Sequence, residues 1–123
     1  MNPSYIILTV ADPLASAAFF ETVLESPALE AQETFALLRL NPSTLLGLWS
    51  AATIIPPVSA PAGSTELCIA LDTREALDAC HDVWRTRGMP IIQAPVEADF
   101  GYTFTATDPD GHRLRVLVPG QQD

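Results

Sequence analysis

The chain has 123 residues, 48% of them apolar and 17% charged, with 15 acidic residues against 6 basic ones and a formal charge of −9. That balance describes a single folded domain over residues 1–123, large enough to bury a core without staples, and excludes a disordered chain. The acidic residues are spread along the sequence with no basic stripe, which excludes nucleic acid as a partner, and no apolar run reaches the length of a bilayer.

The opening "MNPSYIILTVADP" lacks the basic segment and small-residue cleavage site of a secretory signal, so a cytoplasmic protein is expected. Within it "SYIILTV" reads as a strand. "ADPLASAAFFETVL" follows as a helix, with Asp12 as N-cap and Pro13 at the first helical position. Phe19 and Val23, like Phe20 and Leu24, stand four apart and share a face. "TFALLRL" and "TLLGLWS" are strands split by the turn "NPS". A Pro-, Ala-, Ser- and Gly-rich linker covers residues 51–64.

The same plan then recurs. "TELCIAL" is a strand, Asp72 or Thr73 caps a helix that runs to "VWRTRG", and Gly88 stops it. "MPIIQAP" is a strand, and "GYTFTAT" and "HRLRVLV" form a hairpin around "DPDG". Each half therefore reads β-α-β-β-β, from about residue 4 to 50 and from about 65 to 119, with a weaker third strand in the first half. Cys68 and Cys80 form no CxxC pair and are expected as buried, reduced thiols. His81 is expected on a solvated helix face and His112 in the hairpin. Trp84, at helical spacing from Leu77 and Cys80, is expected to anchor the second helix.

The doubled plan, the "VADPLASAAFF" opening and the "DPDGHRLRVLVP" ending resemble the vicinal oxygen chelate superfamily, which contains glyoxalase I, extradiol dioxygenases and the bleomycin-resistance proteins. The resemblance covers about Ser4 to Pro119. It implies an α+β fold of two βαβββ modules, forming a curved mixed sheet around a cavity, in a homodimer. In the metal-dependent members four strands each supply one ligand. Carried over motif by motif, those places fall on Tyr5, Gly47, Glu66 and Arg115. Of these only Glu66 binds a divalent ion well, since Gly47 has no side chain, Tyr5 is a poor neutral ligand and Arg115 repels a metal. No metal, no cofactor and no catalytic residue are therefore expected. A Glu66–Arg115 ion pair in the metal's place is one reading; an ordinary cross-strand pair worth about 0–1 kcal/mol if exposed is the other.

Strand parity extends the face that holds these residues. Tyr5 brings Ile7 and Thr9, Gly47 brings Leu45 and Trp49, Glu66 brings Cys68 and Ala70, and Arg115 brings Arg113 and Leu117. The opposite parity is almost wholly aliphatic and suits packing under the helices. Small Gly47, Cys68 and Ala70 leave space, Trp49 and Tyr5 give flat walls, and Phe100 and Tyr102 form a lid or rim. The combination of "LGLWSA", "ELCIAL" and "FGYTFTATDPDGHRLRV" resembles the metal-free members of the superfamily, above all the phenazine-resistance type, and that resemblance implies sequestration of a planar aromatic antibiotic. The alternatives are a metal-dependent glyoxalase-like lyase or dioxygenase, and bleomycin-like binding of a cationic glycopeptide.

Overall fold

The two halves build the same object twice. The computed structural model describes residues 1–120, and the chain divides into two units, Met1–Ala62 and Gly63–Asp123, with the boundary inside the Pro-rich segment. The first contains β1 (Tyr5–Val10), α1 (Pro13–Leu24), β2 (Glu30–Ala31), β3 (Phe35–Asn41) and β4 (Thr44–Ser50). The second contains β5 (Glu66–Ala70), α2 (Arg74–Thr86), β6 (Ile91–Ala98), β7 (Gly101–Thr107) and β8 (Arg113–Pro119). Their sheets have equivalent strand orders, β1-β4-β3-β2 and β5-β8-β7-β6. In each, the first strand pairs parallel with the last, and the remaining pairs are antiparallel. Two four-stranded mixed sheets with one helix each are the βαβββ modules expected.

In the first module Asp12 Oδ1 accepts from the Leu14 and Ala15 amides at 3.1 and 3.3 Å, and Pro13 opens α1 without an orphan N–H. α1 buries Pro13, Ser16, Ala17 and Phe20. Beneath them lie Leu8, Val10, Ala36, Leu38, Leu46 and Leu48, all buried. These share one parity on β1, β3 and β4, which is why the aliphatic set reads so clearly from sequence. Ile6, on the same parity, is exposed near the start of β1. The weak third strand is the two-residue β2 at the sheet edge.

In the second module Thr73, not Asp72, caps α2, accepting from the Ala76 amide at 3.0 Å. Leu77 and Trp84 are buried, as expected of a helix anchor. His81 lies between them on the same stripe, with its side chain 16% exposed and its ring 5.3 Å from Phe104. The expectation of a solvated His81 is thereby corrected: its distance from Leu77 and Trp84 places it on the buried face. Phe104, fully buried, is met edge-on by His81 and by Trp84 at 5.4 Å.

The hairpin between β7 and β8 is fastened by Asp108. Its Oδ1 accepts from the Asp110 amide at 2.9 Å and the His112 amide at 2.8 Å, while its own amide donates to the His112 carbonyl at 2.9 Å. Burial pushes the Asp108 carboxyl above its ordinary pKa, helped by the charge of Asp110 and opposed by the hydrogen bonds from the His112 and Asp110 amides and by the charge of His112. His112 is buried in this turn. β6 runs on to Ala98, past the "MPIIQAP" boundary, because it is an edge strand whose register breaks between Gln93 and Val96 accommodate Pro95. That shortens the expected loop to Asp99 and Phe100. Gly101, at φ 142°, then starts β7 where a Cβ would lie 2.2 Å from the Val118 carbonyl oxygen.

Candidate functional site

Each sheet has a second face, away from its helix, and the two second faces differ in chemistry. On the first module, register aligns Tyr5 with Leu45, Ile7 with Gly47 and Thr9 with Trp49, while Leu37 and Phe35 flank Gly47 and Trp49 on β3. Trp49 is half-buried and meets the Phe35 ring edge-on at 5.9 Å; Tyr5 is exposed. The space expected over Gly47 is filled. A Cβ there would lie 2.5 Å from Ile7 Cδ1 and 3.0 Å from Phe35 Cζ, so the missing side chain lets its neighbours fold inward.

On the second module the face is polar and tied together. Cross-strand register sets Glu66 beside Arg113 and Cys68 beside Arg115, with Thr105 on the other flank of Arg115 and Gln93 beyond it. Arg115 Nε and Nη2 donate to Glu66 Oε1 and Oε2, each at 3.0 Å, a bidentate fork. Arg115 Nη1 donates to Gln93 Oε1 at 3.2 Å and to Thr103 Oγ at 3.4 Å. Thr105 donates to the same Gln93 oxygen at 2.9 Å, and Thr103 to the Val116 carbonyl at 2.8 Å. Arg113 Nε lies 2.7 Å from Glu66 Oε2 as an ion pair outside hydrogen-bond geometry. The Arg115 guanidinium also stands 5.5 Å from the centre of the Phe100 ring, within reach of a cation–π contact.

Exposure ranks the three charged side chains: Arg115 at 15%, Glu66 at 29% and Arg113 at 38%. The hydrogen bond from Arg115 holds Glu66 below its ordinary pKa, opposed by desolvation and helped by the charges of Arg115 and Arg113. The same hydrogen bond raises the pKa of Arg115. Glu66 therefore stays a carboxylate at neutral pH.

The Glu66–Arg115 pairing expected from sequence is present, and Arg113 joins it. Phe100, half-exposed, is on this face as well. Tyr102 is not. It has the parity of Phe104, so its hydroxyl donates to Asp78 Oδ1 of α2 at 2.6 Å, and the Arg74 guanidinium lies 4.0 Å above its ring. Arg74 in turn pairs with Glu97. Tyr102 is thus a helix-side tie rather than a lid. Cys68, expected as a buried thiol, is exposed on the face of Arg115; Cys80 is half-buried on α2.

Sequence reading missed Gln93, Thr103 and Thr105. The two threonines were legible in "YTFTAT", where Thr alternates with Tyr, Phe and Ala. Gln93 was not, because the broken register of β6 hides which face it takes.

The residues present do not fit a metal. Both Glu66 oxygens already take the Arg115 fork, and two guanidiniums beside the carboxylate oppose a divalent cation. Among the described residues, no cluster of three or more His, Cys, Asp or Glu side chains is placed to hold one. None of the described helices is long and apolar enough to cross a membrane.

Comparison with known proteins agrees with this architecture. The profile of the Glyoxalase/Bleomycin resistance protein/Dioxygenase superfamily matches residues 3–116. The chain is 24% identical over 119 residues to the phenazine antibiotic resistance protein EhpR of Enterobacter agglomerans, covering 94% of this chain and 91% of that one. The solution structure of protein ATC0852 from Agrobacterium tumefaciens superposes with a TM-score of 0.88 at 37% identity, over 98% of this chain and 99% of that one. A glyoxalase/bleomycin resistance protein/dioxygenase from Nocardioides has a TM-score of 0.77 at 21% identity, over 100% and 90% of the two chains, a likeness of fold.

Proposed function

The chain belongs to the Glyoxalase/Bleomycin resistance protein/Dioxygenase superfamily, and from that premise we propose that it binds and sequesters a planar aromatic small molecule without a metal ion. A phenazine-type antibiotic is the ligand class favoured. The observation that carries this reading is the Arg115–Glu66 fork at the position where the superfamily's metal-dependent members need a ligand. A carboxylate saturated by a guanidinium is a poor general base, because the cation favours its charged form. Polar recognition falls to Arg113, which pairs with Glu66 outside hydrogen-bond geometry and is the most exposed charged side chain of the cluster. Phe100, half-exposed beside Arg115, offers a flat ring to one face of a ligand, and offset stacking contributes about 0.5–1.5 kcal/mol beyond area burial.

On the first module's own second face Trp49 and Tyr5 are proposed as aromatic contacts for a planar ligand, and the 24% identity to a phenazine antibiotic resistance protein lends the reading weak support. The protein is proposed to act in the cytoplasm as a homodimer. Self-association is in keeping with the edge strand β6, which exposes Ile92 and Val96. Sedimentation of the purified protein reads its oligomeric state.

The test is a titration of the protein, in chelator, with phenazine and other planar heteroaromatics, followed by tryptophan fluorescence. Saturable quenching that disappears in Trp49→Ala, with Trp84 still reporting, is the expected result. Absence of quenching with every compound, together with turnover on adding nickel, zinc or iron, would restore the enzyme reading.

A further inference from the structure

We infer that the ligand of the second module's face carries a carboxylate, and that Arg113 is the residue selecting it. The inference rests on the binding reading above and adds the chemical class of the ligand's polar group. Two guanidinium cations surround one carboxylate in this cluster, which leaves it with a local charge of +1 in a chain whose formal charge is −9. The excess cation is Arg113 rather than Arg115. Of the five N–H groups of Arg115, two are spent on Glu66, and Nη1 serves Gln93 and Thr103. Arg113 makes an ion pair with Glu66 outside hydrogen-bond geometry and is the most exposed of the three.

Glu66 itself cannot accept much more. Both of its oxygens are engaged, and its lowered pKa keeps it from becoming a hydrogen-bond donor at neutral pH. A ligand group arriving at this face therefore meets a negative charge already satisfied and a positive one only partly so. An anion gains from that arrangement, while a cation meets two arginines. A planar carboxylate has the geometry to take paired N–H donors from a guanidinium. The protein's overall negative charge makes the selection local, since an anion finds no general attraction elsewhere.

The experiment compares three probes by calorimetry at neutral pH: phenazine, phenazine-1-carboxylate and phenazine-1-carboxamide. The last two share shape and differ in charge. The wild-type protein is expected to bind the carboxylate about tenfold or more tightly than the carboxamide, the scale of one charge-assisted contact. Arg113→Gln should reduce that ratio to below about threefold, and Arg113→Lys should retain most of it. Thermal unfolding of both variants checks that the fold persists. Equal affinity of the wild type for carboxylate and carboxamide overturns the inference and leaves aromatic binding standing. An unchanged ratio in Arg113→Gln removes Arg113 as the selecting residue. Failure of all three probes to bind overturns both the inference and the reading beneath it.

Discussion

The two modules share one plan and part company on one face. Under α1 and under α2 the sheets are alike, with aliphatic strands closed by a helix that plants Phe20 in one module and sets Trp84 and His81 on Phe104 in the other. On the opposite faces the first module is apolar around Gly47, with Ile7 and Phe35 folded over it and, among the described residues, no cluster of opposite charges. The second is charged, with Arg115 at the centre of Glu66, Gln93 and Thr103. The difference falls where packing under a helix imposes nothing, so it is there that ligand chemistry is read.

The largest effects should follow from breaking what the modules share. Phe104→Ala and Phe20→Ala each remove a fully buried ring and should cost about 3–5 kcal/mol in urea unfolding. A loss below about 1 kcal/mol at either site would show that the helix-side cores are not what holds the modules.

A smaller effect belongs to the charged face. Arg115→Ala strips Glu66 of its fork and should cost about 1–2 kcal/mol, because partial exposure lets water replace some of what is lost. The same pair gives a pH signature. Glu66 takes up its proton at lower pH in the folded chain than in the unfolded one. Its contribution is therefore complete above the ordinary glutamate pKa of about 4.3 and fades as pH falls through the lowered folded value. The stability gap between wild type and Glu66→Gln should be flat near neutrality and shrink in acid. A gap that instead grows in acid would contradict the pairing.

The smallest effects sharpen the contrast at single residues. Gly47→Ala pushes against Ile7 Cδ1 and the Phe35 ring; the first is an exposed side-chain end that can swing aside, so about 1 kcal/mol or less is expected. Adding Ile7→Ala should relieve part of it, measured as a coupling between the two changes. Cys68→Ala, at an exposed position of β5, should stay within about 0.5 kcal/mol.

Much of this was legible in the chain itself. Period-two alternation in "SYIILTV" and "HRLRVLV" set the two faces of their strands, and Asp12 and Gly101 mark where α1 begins and β7 turns. Glu66 and Arg115 were brought together by motif position and are paired in the structure. What failed did so for particular reasons. Spacing of two would set Tyr102 on the face of Phe100, but Phe100 lies in the turn before β7 and Gly101, at φ 142°, breaks the alternation between them. His81 is polar by type and so suggests a helix surface, but its spacing from Leu77 and Trp84 puts it on the core stripe. Gly47 suggests room in the sequence, whereas in the structure neighbours on adjacent strands close over it.

The most direct test of metal-free binding is calorimetry of phenazine against protein dialysed with chelator, repeated after adding zinc or nickel. The account predicts saturable binding with the same Kd in both. Binding that appears only with the metal would contradict it, and would mean that the Arg115–Glu66 fork opens to admit the ion.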